Sequence, residues 1–104
     1  MDSIYTHALW RVKAGHEQEF VDAWHELARV FSNLEARPSW GTLLRSRTDA
    51  AVFYSFGPWR TMEDALAMRA DPGAQHAIAA VKEHCTDATP EICELVAHVT
   101  VDST

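Results

Sequence analysis

The stretch VFYSFGPWRTMEDALAMRADP, residues 52–72, decides the fold. It opens as an aromatic strand, breaks at Gly57-Pro58, presents Trp59 just past those two turn residues, and then becomes a helix. Thr61 with Asp64 three residues later has the form of a capping box and starts a short helix that runs to Arg69. Asp71-Pro72 restarts a helix, with aspartate at the cap and proline at the first position, where its missing N–H is harmless. A large indole at the lip of a strand needs neighbours to pack around it, and the flanking sequence supplies them.

Upstream, GTLLRSR (41–47) reads as a strand and joins AVFYSF (51–56) through the short turn TDA, so the two form a hairpin. Further upstream, SIYTHALWRV (3–12) is the first strand, KAG turns the chain, and HEQE gives an acidic first helical turn that suits the helix dipole. Apolar residues then recur in steps of three and four at Phe20, Trp24, Leu27, Phe31 and Leu34, an amphipathic helix that Pro38 ends. Downstream, Ala74, Ile78, Val81 and Cys85 share one helical face, that helix ends before TDATP, and EICELVAHVTV (91–101) is the last strand. The order β-α-β-β-α-β, its second helix broken in two, predicts a single α+β domain over residues 1–104. Its architecture is ferredoxin-like, a four-stranded antiparallel sheet with the helices on one face.

Such a sheet needs only one apolar face, yet these strands are apolar on both. Phe53 stands opposite Val52, Tyr54 and Phe56, Tyr5 and Leu9 stand opposite Ile4, Ala8 and Trp10, and in the last strand Ile92 and Val96 stand opposite Leu95 and Val99. The face away from the helices therefore wants a partner, and a second copy about a two-fold axis is the economical one.

Composition narrows the function classes. With 104 residues, 47% hydrophobic and 23% charged, the chain has ordinary globular composition. Nine basic against fifteen acidic residues give a formal charge of −6, and no Lys/Arg cluster offers a surface to nucleic acid or to an anionic membrane. No apolar run is long enough to span a bilayer, and MDSIYTHALW has neither the basic start nor the apolar middle of a signal peptide. Cys85 and Cys93 are expected as free thiols of a cytoplasmic protein.

WRVKAGHEQEFVDAWHELA resembles the strand-turn-helix opening of antibiotic biosynthesis monooxygenase domains, and FYSFGPWRTMEDALAMRADPGAQHA resembles their second half. The resemblance covers nearly the whole chain. It implies a dimeric α/β barrel and cofactor-independent oxygenation of quinols or aromatic polyketide intermediates, with no metal and no other cofactor. In the polyketide-oxidising branch an asparagine lies four residues before the tryptophan, both facing the pocket between sheet and helices. Trp59 matches that tryptophan and Ser55 takes the asparagine position, where a hydroxyl still donates or accepts but is shorter than an amide. The haem-degrading branch adds an asparagine and a histidine at the positions of Ala8 and Arg69, and arginine is a poor axial iron ligand.

The resemblance thus points to Trp59, Ser55 and Arg69 as the catalytic set, beside two bland readings: Trp59 as core packing, Ser55 as a tolerated small residue. Arg69 shares a helical face with Met62 and Leu66, which brings its head to the pocket mouth or lays its stem over apolar surface. Phe20 and Trp24 on the first helix, Phe53 on the strand face of Ser55, and His7 on the first strand are the expected substrate-binding residues. His7 and His98 sit in expected strands, where a histidine can accept a proton near neutral pH. His76 falls opposite the apolar face of its helix. No metal site is expected, because neither His16 with His25 nor His76 with His84 has the i, i+4 spacing that places two imidazoles together on a helix. No nucleophilic triad, phosphate loop or dinucleotide fingerprint is readable. The leading expectation is a homodimer that acts on a small aromatic substrate with O2; the rival is a non-catalytic binding module of the same fold.

Overall fold

The computed structural model describes residues 3–102. Its elements are β1 (Ile4–Val12), α1 (Glu17–Ser32), β2 (Thr42–Arg45), β3 (Val52–Trp59), α2 (Met62–Ala70), α3 (Pro72–Lys82) and β4 (Cys85–Glu94). The four strands lie in the order β2-β3-β1-β4 and every neighbouring pair is antiparallel, the ferredoxin-like α+β arrangement. Local chemistry sets the helix starts. Gly15, at φ 85, makes the left-handed step that turns the chain from β1 towards α1. The Thr61 hydroxyl accepts the Asp64 N–H at 3.1 Å and the Asp71 carboxylate accepts the Ala74 N–H at 2.8 Å, so both expected caps form.

Besides shifts of one or two residues, such as β2 at Thr42–Arg45 for an expected 41–47, two strands differ from the sequence expectation. The strand expected to end at Phe56 runs on through Gly57 and Pro58 to Trp59. β2 pairs only with Phe53–Phe56, so beyond that point β3 bonds to β1 alone, and Pro58, opposite Tyr5, has no partner strand on its other side. A proline without N–H is tolerated there. Trp59 is therefore aimed by strand alternation, on the same face as Ser55 and Gly57, and not by a turn.

The last strand is the second correction. It was expected at 91–101 and spans Cys85–Glu94, crossing the TDATP segment read as a loop. β4 is an edge strand, and an edge accommodates Pro90 and charged residues that argue against a central strand. Residues 95–102 carry no regular element, and Val96, Val99 and Val101 are 88%, 78% and 82% exposed. Cys85 accordingly opens a strand instead of closing a helix face. Both cysteines are free; eight residues apart on one strand they stand about 26 Å from each other, far beyond disulfide reach.

The predicted strand phase holds. Ile4, Thr6, Ala8, Trp10 and Val12 face the helices with Phe53, Ser55, Gly57 and Trp59, while Tyr5, His7, Leu9, Tyr54 and Phe56 face away. Behind the first face the core divides in two. One half gathers Trp10, Phe20, Leu27, Phe53 and Val81; the other gathers Trp59, Ala65, Met68 and Ala74. Phe31 and Ile78 border both.

Candidate active site

The division of the core follows from residue size. In the β1–β3 register Ala8 pairs with Ser55 and Thr6 with Gly57, and on β4 Pro90 pairs with Ala8 while Ala88 pairs with Trp10. Apart from Trp10, which packs against Phe20 of α1, these side chains are small. A cavity of about 710 Å³ remains above them, within the range of small-molecule sites. Trp24, Leu27 and Phe31 of α1 and Ile78 and Ala79 of α3 form its roof, and exposed Arg69, Gln75, Lys82 and Glu91 stand among its lining residues as a polar rim.

Two indoles frame the floor, and each is held by a hydroxyl. Trp10 Nε1 donates to Ser55 Oγ at 2.9 Å, and Trp59 Nε1 donates to Thr6 Oγ1 at 2.9 Å. Both bonds are diagonal across the same strand pair, each indole reaching the residue two positions beyond its register partner. Each hydroxyl accepts one bond and keeps its own proton to donate. Since Thr6 and Ser55 line the cavity, that proton is available to an oxygen atom bound there. Trp59 is 1% exposed and lies 5.6 Å from Phe31, ring centre to ring centre, so it is core packing and cavity wall at once.

The loop before β2 closes one side. Pro38, Ser39, Trp40 and Gly41 line the cavity, and a Cβ on Gly57 would stand 2.5 Å from the Trp40 carbonyl oxygen, so the loop rests on the one strand residue that leaves it room. The Trp40 ring turns to the outer face, 6.2 Å from Tyr5 and 5.9 Å from Phe56.

Of the residues expected at the site, Trp59, Ser55, Trp24 and Arg69 gather around this cavity. Arg69 is exposed, and its carbonyl accepts the Gln75 side-chain amide at 2.8 Å, which ties the α2–α3 junction at the rim. Phe20 and Phe53 do not reach the wall. They are 0% and 3% exposed and pack 4.8 Å apart behind Trp10, where they fix the indole that holds Ser55. The His7 ring lies on the outer face, 6.3 Å from Tyr54; alternation leaves its strand backbone, not its imidazole, on the cavity side. His98 falls in the segment after β4, outside any strand, and His76 is exposed. Sequence reasoning missed Thr6, Trp10 and the 38–41 loop. The pairing Thr6–Gly57 beside Ala8–Ser55 is the signal that finds them, and it requires the strand register.

One group of metal-ligating side chains occurs among the described residues, His16, Glu19 and His84. None of the three lines the cavity. No described helix is long and apolar enough to cross a membrane.

Comparison with known proteins agrees with this architecture. The sequence profile for antibiotic biosynthesis monooxygenase matches residues 3–80. The search of curated protein sequences finds no match. Among solved structures, an asparagine-to-alanine variant of SnoaB, a cofactor-independent oxygenase from Streptomyces nogalater, is 19% identical with a TM-score of 0.81, covering 99% of this chain and 100% of that one. SnoaB itself is 20% identical with a TM-score of 0.78 over the same shares. A conserved protein from Methanosarcina mazei Go1 is 13% identical with a TM-score of 0.80, covering 92% of this chain and 95% of that one. At these identities the structures speak for the fold. The profile, which spans most of the sequence, speaks for the family: the chain belongs to the antibiotic biosynthesis monooxygenase family.

Proposed function

We propose that the protein is a cofactor-independent monooxygenase that oxidises an electron-rich phenol, quinol or aromatic polyketide intermediate with molecular oxygen. The observation that carries this reading is the cavity floor, two hydroxyls with protons to donate, framed by two indoles under an apolar roof. A planar ring stacks against such walls. Donation from Ser55 and Thr6 to the substrate oxygen favours its anion, and the Trp10 bond to Ser55 strengthens that donation through cooperativity.

The anion then passes an electron to O2, and the radical pair combines into a carbon–oxygen bond. Loss of water from the resulting peroxide leaves a carbonyl. One oxygen atom ends in the product and the other in water, so a C–H carbon para to the phenol becomes a quinone carbonyl with electrons balanced. Positioning the ring, holding its anion and keeping bulk water out is all the protein has to do. Trp24 in the roof and Arg69 at the rim belong to this set, the first for ring contact and the second for closing the mouth.

The test is oxygen uptake by purified protein with a panel of hydroquinones and polycyclic phenols. Consumption above the uncatalysed rate is expected for at least one member, reduced several-fold in Ser55→Ala and Thr6→Val. Binding without oxygen uptake favours the second reading, a small-molecule-binding module. The observation on that side is that Ser55, at the family's amide position, already spends one lone pair on Trp10.

The protein is further read as a homodimer joined through the outer sheet face. Tyr5, Leu9, Tyr54 and Phe56 are only half-buried in the single chain, with Leu44 and Trp40 50% and 46% exposed beside them.

A further inference from the structure

His16 and His84 are 68 residues apart in sequence, and their Nδ1 atoms lie 3.2 Å apart. The Glu19 carboxylate approaches both, at 3.8 Å from His16 Nδ1 and 4.0 Å from His84 Nδ1. We propose that His16, Glu19 and His84 form a divalent metal site, with Zn2+ its foremost occupant, that clamps the start of α1 to the α3–β4 corner. The inference is independent of the function read for the cavity.

The geometry suits a shared ion. Two nitrogens bound to one tetrahedral zinc at ordinary bond lengths stand about 3.3 Å apart, close to the separation observed. Glu19 has only to close by roughly half an ångström to reach the same spacing, and its side chain is 60% exposed and on the surface. The remaining position is left to water.

Both histidines are set by their backbones. His16 sits at the N-cap of α1 yet makes no capping bond with its ring; its N–H donates to Lys13 O and its carbonyl accepts the Phe20 N–H. His84 donates to Val81 O and accepts the Lys13 N–H. Two residues anchored at the main chain, with their ring nitrogens already 3.2 Å apart, and one adaptable carboxylate make a donor set that has little ground to cover on binding.

The surrounding charges nearly cancel. Lys13 and the amino end of α1 oppose a cation, although the Lys13 ammonium is drawn off to the Glu83 carbonyl at 2.9 Å. Glu17 in the first turn and the carboxyl end of α3 favour one. Without a metal, two imidazoles and a carboxylate at these distances have a hydrogen bond between the rings as their alternative, with the tautomers arranged to suit. Imidazole and carboxylate donors together suit zinc and its first-row neighbours. The same set serves non-haem iron, but its place outside the cavity lining makes the bound ion a brace and not a reagent.

The test is calorimetric titration of the chelator-stripped full chain with Zn2+, paired with thermal melts. One Zn2+ per chain is expected. At free zinc about 100 times the dissociation constant, the melting temperature should rise by roughly 10 °C. His16→Gln and His84→Gln should each weaken binding by at least the roughly 10- to 100-fold that even outer-shell partners of a metal contribute, while His25→Gln, an exposed histidine of the same helix, should not. Should His84→Gln fail to fold, the visible absorption of Co2+ bound to the unmodified chain and its loss in His16→Gln decide the matter. No zinc uptake by the unmodified chain, or equal uptake by His16→Gln, overturns the proposal.

Discussion

Trp10 and Trp59 each bring an indole N–H into a nearly water-free interior, and each meets a hydroxyl on the neighbouring strand. The arrangement gives Ser55 a structural part beside the chemical one proposed for it. Ser55→Ala strips the partner from the Trp10 N–H, and a buried donor left without one costs about 1–3 kcal/mol. Urea unfolding should register a loss of that size; an unchanged midpoint would mean that water replaces the hydroxyl without penalty. Trp59→Phe keeps a ring against Phe31 but gives up the Thr6 bond and part of the cavity wall. That variant should fold normally and bind or oxidise planar aromatics several-fold less well. Full activity in a folded Trp59→Phe would reduce Trp59 to packing. Cys85 sits at the corner where α3 gives way to β4, and burial pushes its thiol up from the ordinary cysteine value, with nearby Lys13 working against the shift. The thiol form is therefore favoured at neutral pH, and Cys85 is a poor nucleophile there.

Among the elements, the helix starts were legible because their causes are local: Thr61 and Asp71 cap within three residues of themselves. The sheet and its phase were legible from alternation, which places Phe53 and Ser55 opposite Tyr54 and Phe56. Strand ends were not. The extension of β3 to Trp59, with Pro58 free on one side, depends on β2 beginning only at Thr42, and the span of β4 depends on lying at an edge where Pro90 loses nothing. The cavity was legible only in part for the same reason. Ser55 and Ala8 were noticed only through the family resemblance, Gly57 only as a turn residue and Thr6 not at all, and only the register brings the four together. The His16–His84 contact escaped a search confined to spacing on single helices. Gly57 is where element and site meet. In Gly57→Ala the new Cβ meets the Trp40 carbonyl oxygen, a backbone atom, at 2.5 Å, so the 38–41 loop has to lift. Overpacking of this kind costs about 1–3 kcal/mol. The melting temperature should drop and the fluorescence of Trp40, freed from Tyr5 and Phe56, should change. A variant that matches the parent in both would show that the loop does not depend on this seat.

The whole molecule is a slab of 39 × 38 × 20 Å, one sheet and one helical layer thick, with aromatics on its bare side. Its radius of gyration, 14.4 Å, exceeds the roughly 13 Å of a compact chain of this length, and the valines of the 95–102 segment stand exposed. A second copy laid on the outer face, as proposed, would cover Tyr54 and Phe56. Light scattering at micromolar concentration should therefore give twice the chain mass of 11.7 kDa, and Tyr54→Glu or Phe56→Glu should return it to one; a monomeric parent chain would remove the dimer from the account. The chemistry proposed for the cavity is the central claim, and isotope transfer tests it most directly. With the best substrate of the panel, turnover under 18O2 in ordinary water, followed by mass spectrometry of the product before its carbonyl exchanges, should place one 18O atom in each quinone formed and the other in water. Product without label, or formed equally fast when the protein is omitted, would contradict the account.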